Sequence, residues 1–212
     1  GWDLVEHDPV LTDAERLASP VPREVLDELI LKPCRRAGLR FPDGFEPGAW
    51  SLPGSRATFT VADGDRFDLG GRVLEAIATP GHTPGSVSYL DHATGALLCG
   101  DVAYDGLIFA QFVESQLTVY LETLSRLAGR ASALSALLPS HDRTPLEPTF
   151  LHRLRDALEA LVAGDAPWAA EEGWHAPVRR WGFDGLEILT PEGVGTLIKQ
   201  AGFRKVETYV ER

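Results

Sequence analysis

The stretch ATPGHTPGSVSYL (Ala78–Leu90) holds one histidine, His82, between two Pro-Gly breakers at the mouth of an apolar strand. Pro fixes φ and Gly adopts conformations that other residues avoid, so Pro80-Gly81 and Pro84-Gly85 form a stiff loop. A stiff loop aims its imidazole in a set direction. That is how a site is built, and the histidine therefore calls for partners.

Outward from this loop the texture is that of short strands and tight turns. The segments ATFTV, DRFDL and RVLEAIA are separated by Asp63-Gly64 and Gly70-Gly71 and lead into His82. SVSYL follows it, then the turn Ala93-Thr94-Gly95, then the buried strand ALLCGD, which ends on Asp101. The spacing of Leu117, Leu121 and Leu124 predicts a helix over Leu117–Leu127, and ALSALLP is an apolar strand that stops just before His141. Thr149–Val162 has the pattern of an amphipathic helix, while Ala166–Phe183 is rich in Trp and gives only a weak pattern. Thr190-Pro191 predicts the start of a last helix closing near Gly202, before a strand from Phe203 to Val210.

Upstream, Trp2–Glu6 predicts a short strand, and Leu11–Ala18 and Pro22–Lys32 predict helices. Residues 41–55 are loop. The class is α+β or α/β in one domain spanning residues 1–212, a length within the range of single domains.

Three polar residues thus stand where an apolar strand gives way to a loop: His82, Asp101 and His141. Strand ends are where open sheets collect ligand groups, because side chains there leave the core yet stay anchored to it. Two imidazoles and a carboxylate suit zinc, manganese or iron.

At these residues the chain resembles the metallo-β-lactamase-fold hydrolases. TPGHTPGS (Thr79–Ser86) is similar to the third metal motif of that family, GDVAYDG (Gly100–Gly106) to the fourth and LLPSHD (Leu137–Asp142) to the fifth. The hairpin VADGDRFDLGGRVLEAIATPG before His82 and the helix around YLETLSRLAG also resemble family segments. The likeness is good over Val61–Val162 and loose at both ends. It implies an αββα sandwich of two mixed sheets flanked by helices. It also implies two zinc ions in a complete member, with His82 serving the first metal, His141 the second and Asp101 bridging both. A metal-activated water would then attack an ester, thioester, lactone or related small-molecule substrate.

The departures carry expectations of their own. The family's first motif, His-x-His-x-Asp-His, is absent from all 212 residues, and Ser140 stands where a glycine usually precedes the fifth-motif histidine. The chain has no Met and opens Gly1-Trp2-Asp3, which leads to the expectation of an internal start with the first strands missing. The chain as given is then expected to bind zinc weakly and to hydrolyse little. Two other classes fit the same residues: a single-iron dioxygenase of this fold acting on a sulfur substrate, and a non-catalytic ligand-binding protein.

Composition narrows the partners. With 20 Lys+Arg against 31 Asp+Glu the formal net charge is −11, which disfavours a phosphate backbone, so nucleic acid is not expected. The apolar runs are shorter than the roughly 20 residues of a bilayer span, so no membrane partner is expected. The two cysteines, Cys34 and Cys99, suggest no disulfide framework and lead to a cytoplasmic expectation. Tyr104, three residues after Asp101, is a candidate to reach a bound substrate with its hydroxyl or to cap the sheet. His92, His152 and His175 read as solvated or structural. The oligomeric state is not legible.

Overall fold

The computed structural model describes residues 59–112, 115–173 and 177–192, with scattered positions from 31 to 51. The elements expected before residue 31 and after residue 192 lie outside the described residues. Two compact units divide the chain, residues 1–60 with 173–176 and residues 61–172 with 177–212. The second holds all the elements below. Among the described residues no helix is long and apolar enough to cross a membrane.

One sheet of the second unit is built from β1 (Arg66–Asp68), β2 (Val73–Ala78), β3 (Val87–Asp91), β4 (Ala96–Gly100) and β6 (Ala136–Pro139), in the order β1-β2-β3-β4-β6. The first three pairings are antiparallel and the last, β4 with β6, is parallel. Antiparallel neighbours need only tight turns, and the sequence supplies them. Asp68 Oδ1 accepts the amides of Gly70 and Gly71 at 2.9 and 3.0 Å. Asp91 accepts from the Ala93 amide and the Thr94 hydroxyl at the β3–β4 turn.

The parallel step needs a crossover. It contains α1 (Leu117–Ala128), and α2 (Phe150–Ala163) follows β6. Leu117, Tyr120, Leu124 and Leu127 recur at helical spacing and are buried, as are Leu151, Leu154, Leu158 and Leu161 on α2. Both apolar faces join one core with Leu97 and Leu137 of the sheet.

The second sheet has the order β5-β9-β8-β7, from β5 (Leu107–Phe109), β7 (Trp168–Glu172), β8 (Pro177–Phe183) and β9 (Leu186–Pro191). β5 is parallel to β9 and the other pairings are antiparallel. Its Trp181, Ile188 and Leu186 belong to the same core. Two mixed sheets with helices packed on them make an α+β sandwich, as expected.

Two local expectations change. The Trp-rich stretch is the hairpin of β7 and β8, with Trp168 paired to Trp181. β7 is an edge strand exposed along most of its length, so it carries no hydrophobic alternation to read. Thr190 and Pro191 do not open a helix. They end β9, paired with Arg179 and Val178, and the buried Thr190 hydroxyl accepts the Trp181 indole N–H at 2.8 Å. Of ATFTV, the described residues Phe59 to Val61 lie outside any strand.

Candidate metal centre

The sheet brings the three polar strand ends to one edge. β2 and β4 both run antiparallel to β3, so they point the same way, and β6 is parallel to β4. The C-terminal ends of β2, β4 and β6 therefore lie together, and the residues just beyond them are His82, Asp101 and His141. The β4–β6 register shifts between Leu98 and Gly100, so that Gly100 pairs with Pro139 and the Ser140 amide donates to the Gly100 carbonyl at 3.1 Å. The next residues on each chain, Asp101 and His141, become neighbours.

The His82 loop is clamped from the helix side. The Gln116 amide donates to the Gly81 carbonyl at 2.8 Å, the Ser115 hydroxyl to the His82 carbonyl at 2.8 Å and the Thr123 hydroxyl to the Pro80 carbonyl at 2.7 Å. Arg126 donates to the Ala78 carbonyl. α1 lies so close that a Cβ on Gly81, whose φ is +133°, would come within 2.2 Å of Tyr120 Cα. Only glycine fits there, for space and for backbone conformation alike.

Asp101 sits between the two histidines. Its Oδ2 is 3.8 Å from His82 Nε2 and its Oδ1 is 3.2 Å from His141 Nε2. The side chains are 9%, 40% and 59% exposed in the order His82, Asp101, His141, so the group opens to solvent on the His141 side. The Phe112 and His82 rings meet in a T-shaped contact with centroids 5.8 Å apart, and Tyr104 meets His141 at 5.4 Å.

Two tyrosines pack behind these loops. Tyr120 donates its hydroxyl to the Val102 carbonyl at 2.7 Å, which ties α1 to the residue after Asp101. The Tyr104 hydroxyl accepts the Phe109 amide of β5 at 2.8 Å, and the residue is 2% exposed. Burial pushes the Tyr104 phenol up to about 12, and it pushes Tyr120 well above the usual range. Both are neutral phenols at physiological pH. Burial likewise raises the Cys99 thiol to about 12, and Cys99 is a packed core residue that donates to the Ala103 carbonyl.

The donor set fits divalent cations. Two donors held about 2.0–2.2 Å from one tetrahedral ion stand about 3.3–3.6 Å apart. The observed separations of 3.2 and 3.8 Å fall just below and just above that range, so small side-chain shifts separate the groups from ligand spacing. Among the described residues no three His, Cys, Asp or Glu side chains close around one point. The contacts instead form two pairs that share Asp101, one carboxylate oxygen to each.

Sequence reasoning did not single out Ser115, Phe112 or Tyr120. Ser115 and Phe112 lie in the irregular segment before α1, where no period marks a residue. Tyr120 reads as one more apolar position of the helix. Among the other histidines, His92 Nε2 lies 2.9 Å from Glu75 Oε2 on the surface, away from this group in the β3–β4 turn.

Several known proteins are similar to this chain. Over 103 residues it is 30% identical to the acyl-coenzyme A thioesterase MBLAC2 of Bos taurus, covering 48% of this chain and 37% of that protein. Over 129 residues it is 30% identical to the hydroxyacylglutathione hydrolase of Dechloromonas aromatica, covering 59% and 45%. The matched segment thus spans less than half the length of either relative. A solved metallo-beta-lactamase family protein from Thermus thermophilus superposes with a TM-score of 0.46 at 18% identity, over 66% of this chain and 47% of that one. The family model of the metallo-beta-lactamase superfamily matches residues 37–141, which take in His82, Asp101 and His141, and through that segment the chain belongs to this superfamily.

Proposed function

We propose that the protein is a metal-dependent hydrolase in which His82, Asp101 and His141 hold zinc, and that its substrate is a small thioester. The observation that supports the metal reading is the Asp101 carboxylate between two imidazoles, one oxygen turned to each at 3.8 and 3.2 Å. His82 would serve one ion, His141 another and Asp101 both. Bound zinc supplies Lewis acidity and brings the pKa of a water down to about 7.

The chain's own residues supply preorganisation. Ser115 and Gln116 hold the His82 loop against α1, so the imidazole keeps its aim when no ligand is bound. The Phe112 ring packs against His82 in a T-shaped contact and limits the positions that imidazole can take. The exposed His141 side is the approach for substrate. Thioester is favoured over lactone or phosphodiester because acyl-coenzyme A and hydroxyacylglutathione, in the names of the two relatives, are both thioesters.

The test compares the chain with its Asp101→Ala variant. Zinc affinity is read by competition with a chromophoric chelator, and cleavage of acyl-coenzyme A and acyl-glutathione by release of free thiol. Asp101 is partly exposed, so the variant should fold. Zinc affinity should fall by about tenfold or more, and thiol release by orders of magnitude. Equal zinc affinity in the two proteins, or thiol release that survives chelation, would overturn the reading.

A further inference from the structure

His141 presents a mechanical problem. Its side chain is 59% exposed, and it meets Asp101 and the Tyr104 ring. Core packing does not fix an imidazole this open. Its neighbours on the chain do. Before it, the Ser140 amide donates to the Gly100 carbonyl. After it, Asp142 is the one non-glycine residue with positive φ, +60°, among the described residues. The Asp142 carboxylate lies over Gly106, where a Cβ would come 2.1 Å from Asp142 Oδ2 and 2.7 Å from Cγ. Next, Arg143 Nη2 donates to Asp105 Oδ2 at 2.7 Å.

Residues 140, 142 and 143 therefore all rest on the loop 100–106, the same loop that carries Asp101. An ion pair with its arginine 70% exposed adds little to stability, so register is the better account of the Asp105–Arg143 contact. A left-handed φ is uncommon in a residue with a side chain, aspartate being one of the few that adopt it, and at Asp142 it fixes the turn just after His141. The bare α-carbon of Gly106 is the space that lets it lie down.

We propose that Asp105-Gly106 is a seat for the loop bearing His141, with Gly106 and Arg143 as positioning residues that set its distance from Asp101. The proposal rests on the reading of His141 as a metal ligand. The test uses the whole chain and the variants Gly106→Ala and Arg143→Ala, with two readouts. The first needs no metal: the proton resonances of the His141 ring, displaced by the nearby Tyr104 ring. The second is zinc affinity by chelator competition.

In Gly106→Ala the Asp142 carboxylate must swing off the added methyl, so the Tyr104-dependent displacement should change and zinc affinity should fall by up to about tenfold. Arg143→Ala should move both in the same sense but less. Adding Asp142→Gly to Gly106→Ala should recover the larger part of both, since a positive φ suits glycine and the obstructing carboxylate is gone. His141 resonances unchanged in Gly106→Ala would overturn the seat. If that variant fails to fold, unchanged resonances in Arg143→Ala overturn it instead. Resonances that move while zinc affinity stays level would keep the seat and overturn the ligand reading of His141.

Discussion

Replacing Gly81 by alanine tests the clamp on the His82 loop most directly. The added methyl would meet Tyr120 Cα at 2.2 Å, Cβ at 2.5 Å and N at 2.6 Å. Two of these atoms are main chain, so no rotamer change relieves the clash and either the loop or α1 must move. Overpacking of this kind costs about 1–3 kcal/mol. The backbone adds its own term, because φ of +133° is territory that residues with a side chain avoid, at about 1–3 kcal/mol. The sum, about 2–6 kcal/mol, is a large share of the roughly 5–15 kcal/mol that holds a typical domain together. A chain of this size should lose roughly 5–20 °C of Tm. Gly71→Ala is the control. Its φ of +90° is also strained, but nothing lies within 4 Å of the added methyl, so about 1–2 kcal/mol is expected. Thermal and urea unfolding followed by circular dichroism reads both. Equal losses in the two variants would refute the close approach of α1. So would rescue of Gly81→Ala by Tyr120→Ala, since the obstacle would then be a side chain rather than the helix backbone.

Two further outcomes follow from buried polar groups. The hydrogen bond from Arg72, with help from the Thr94 hydroxyl, holds the Asp91 carboxyl down to about 2. That lies below the unfolded value of about 3.9, so the stabilisation is complete above about pH 4 and drains away as the pH falls toward 2. Asp91→Asn should lower Tm at neutral pH and flatten its decline between pH 4 and 2; an unchanged slope would exclude the pair as a source of acid sensitivity. Tyr120→Phe keeps the ring but strips the buried Val102 carbonyl of its donor, which should cost about 1–3 kcal/mol in urea unfolding. A loss of a few tenths at most would mean that the hydroxyl does not tie α1 to the Asp101 loop.

Much of this molecule was legible from local chemistry. Paired Pro-Gly breakers, Gly-containing turns and short apolar runs marked β1 to β4 to within a residue or two, because turn residues bound each strand locally. They also placed the end of β6, whose start lies three residues later than the apolar run suggests. Leu spacing marked both helices for the same local reason. β5 escaped notice because it is three residues long and pairs with β9, far along the chain. β7 escaped because an exposed edge strand has no buried face to leave a period.

By itself the sequence determined the kind of site: two imidazoles and a carboxylate, each at a strand end in its own stiff frame, with motifs whose order marks the superfamily. Only the tertiary structure decided that the three meet. Their meeting depends on β2, β4 and β6 sharing a direction, on a one-residue shift that sets Gly100 against Pro139, and on a helix backbone lying against Gly81. It depends also on Gly106 leaving room for Asp142. Those are contacts between residues tens of positions apart. Periodicity and turn chemistry act over a few residues and cannot record them, whereas pairing of the strands sets them all at once.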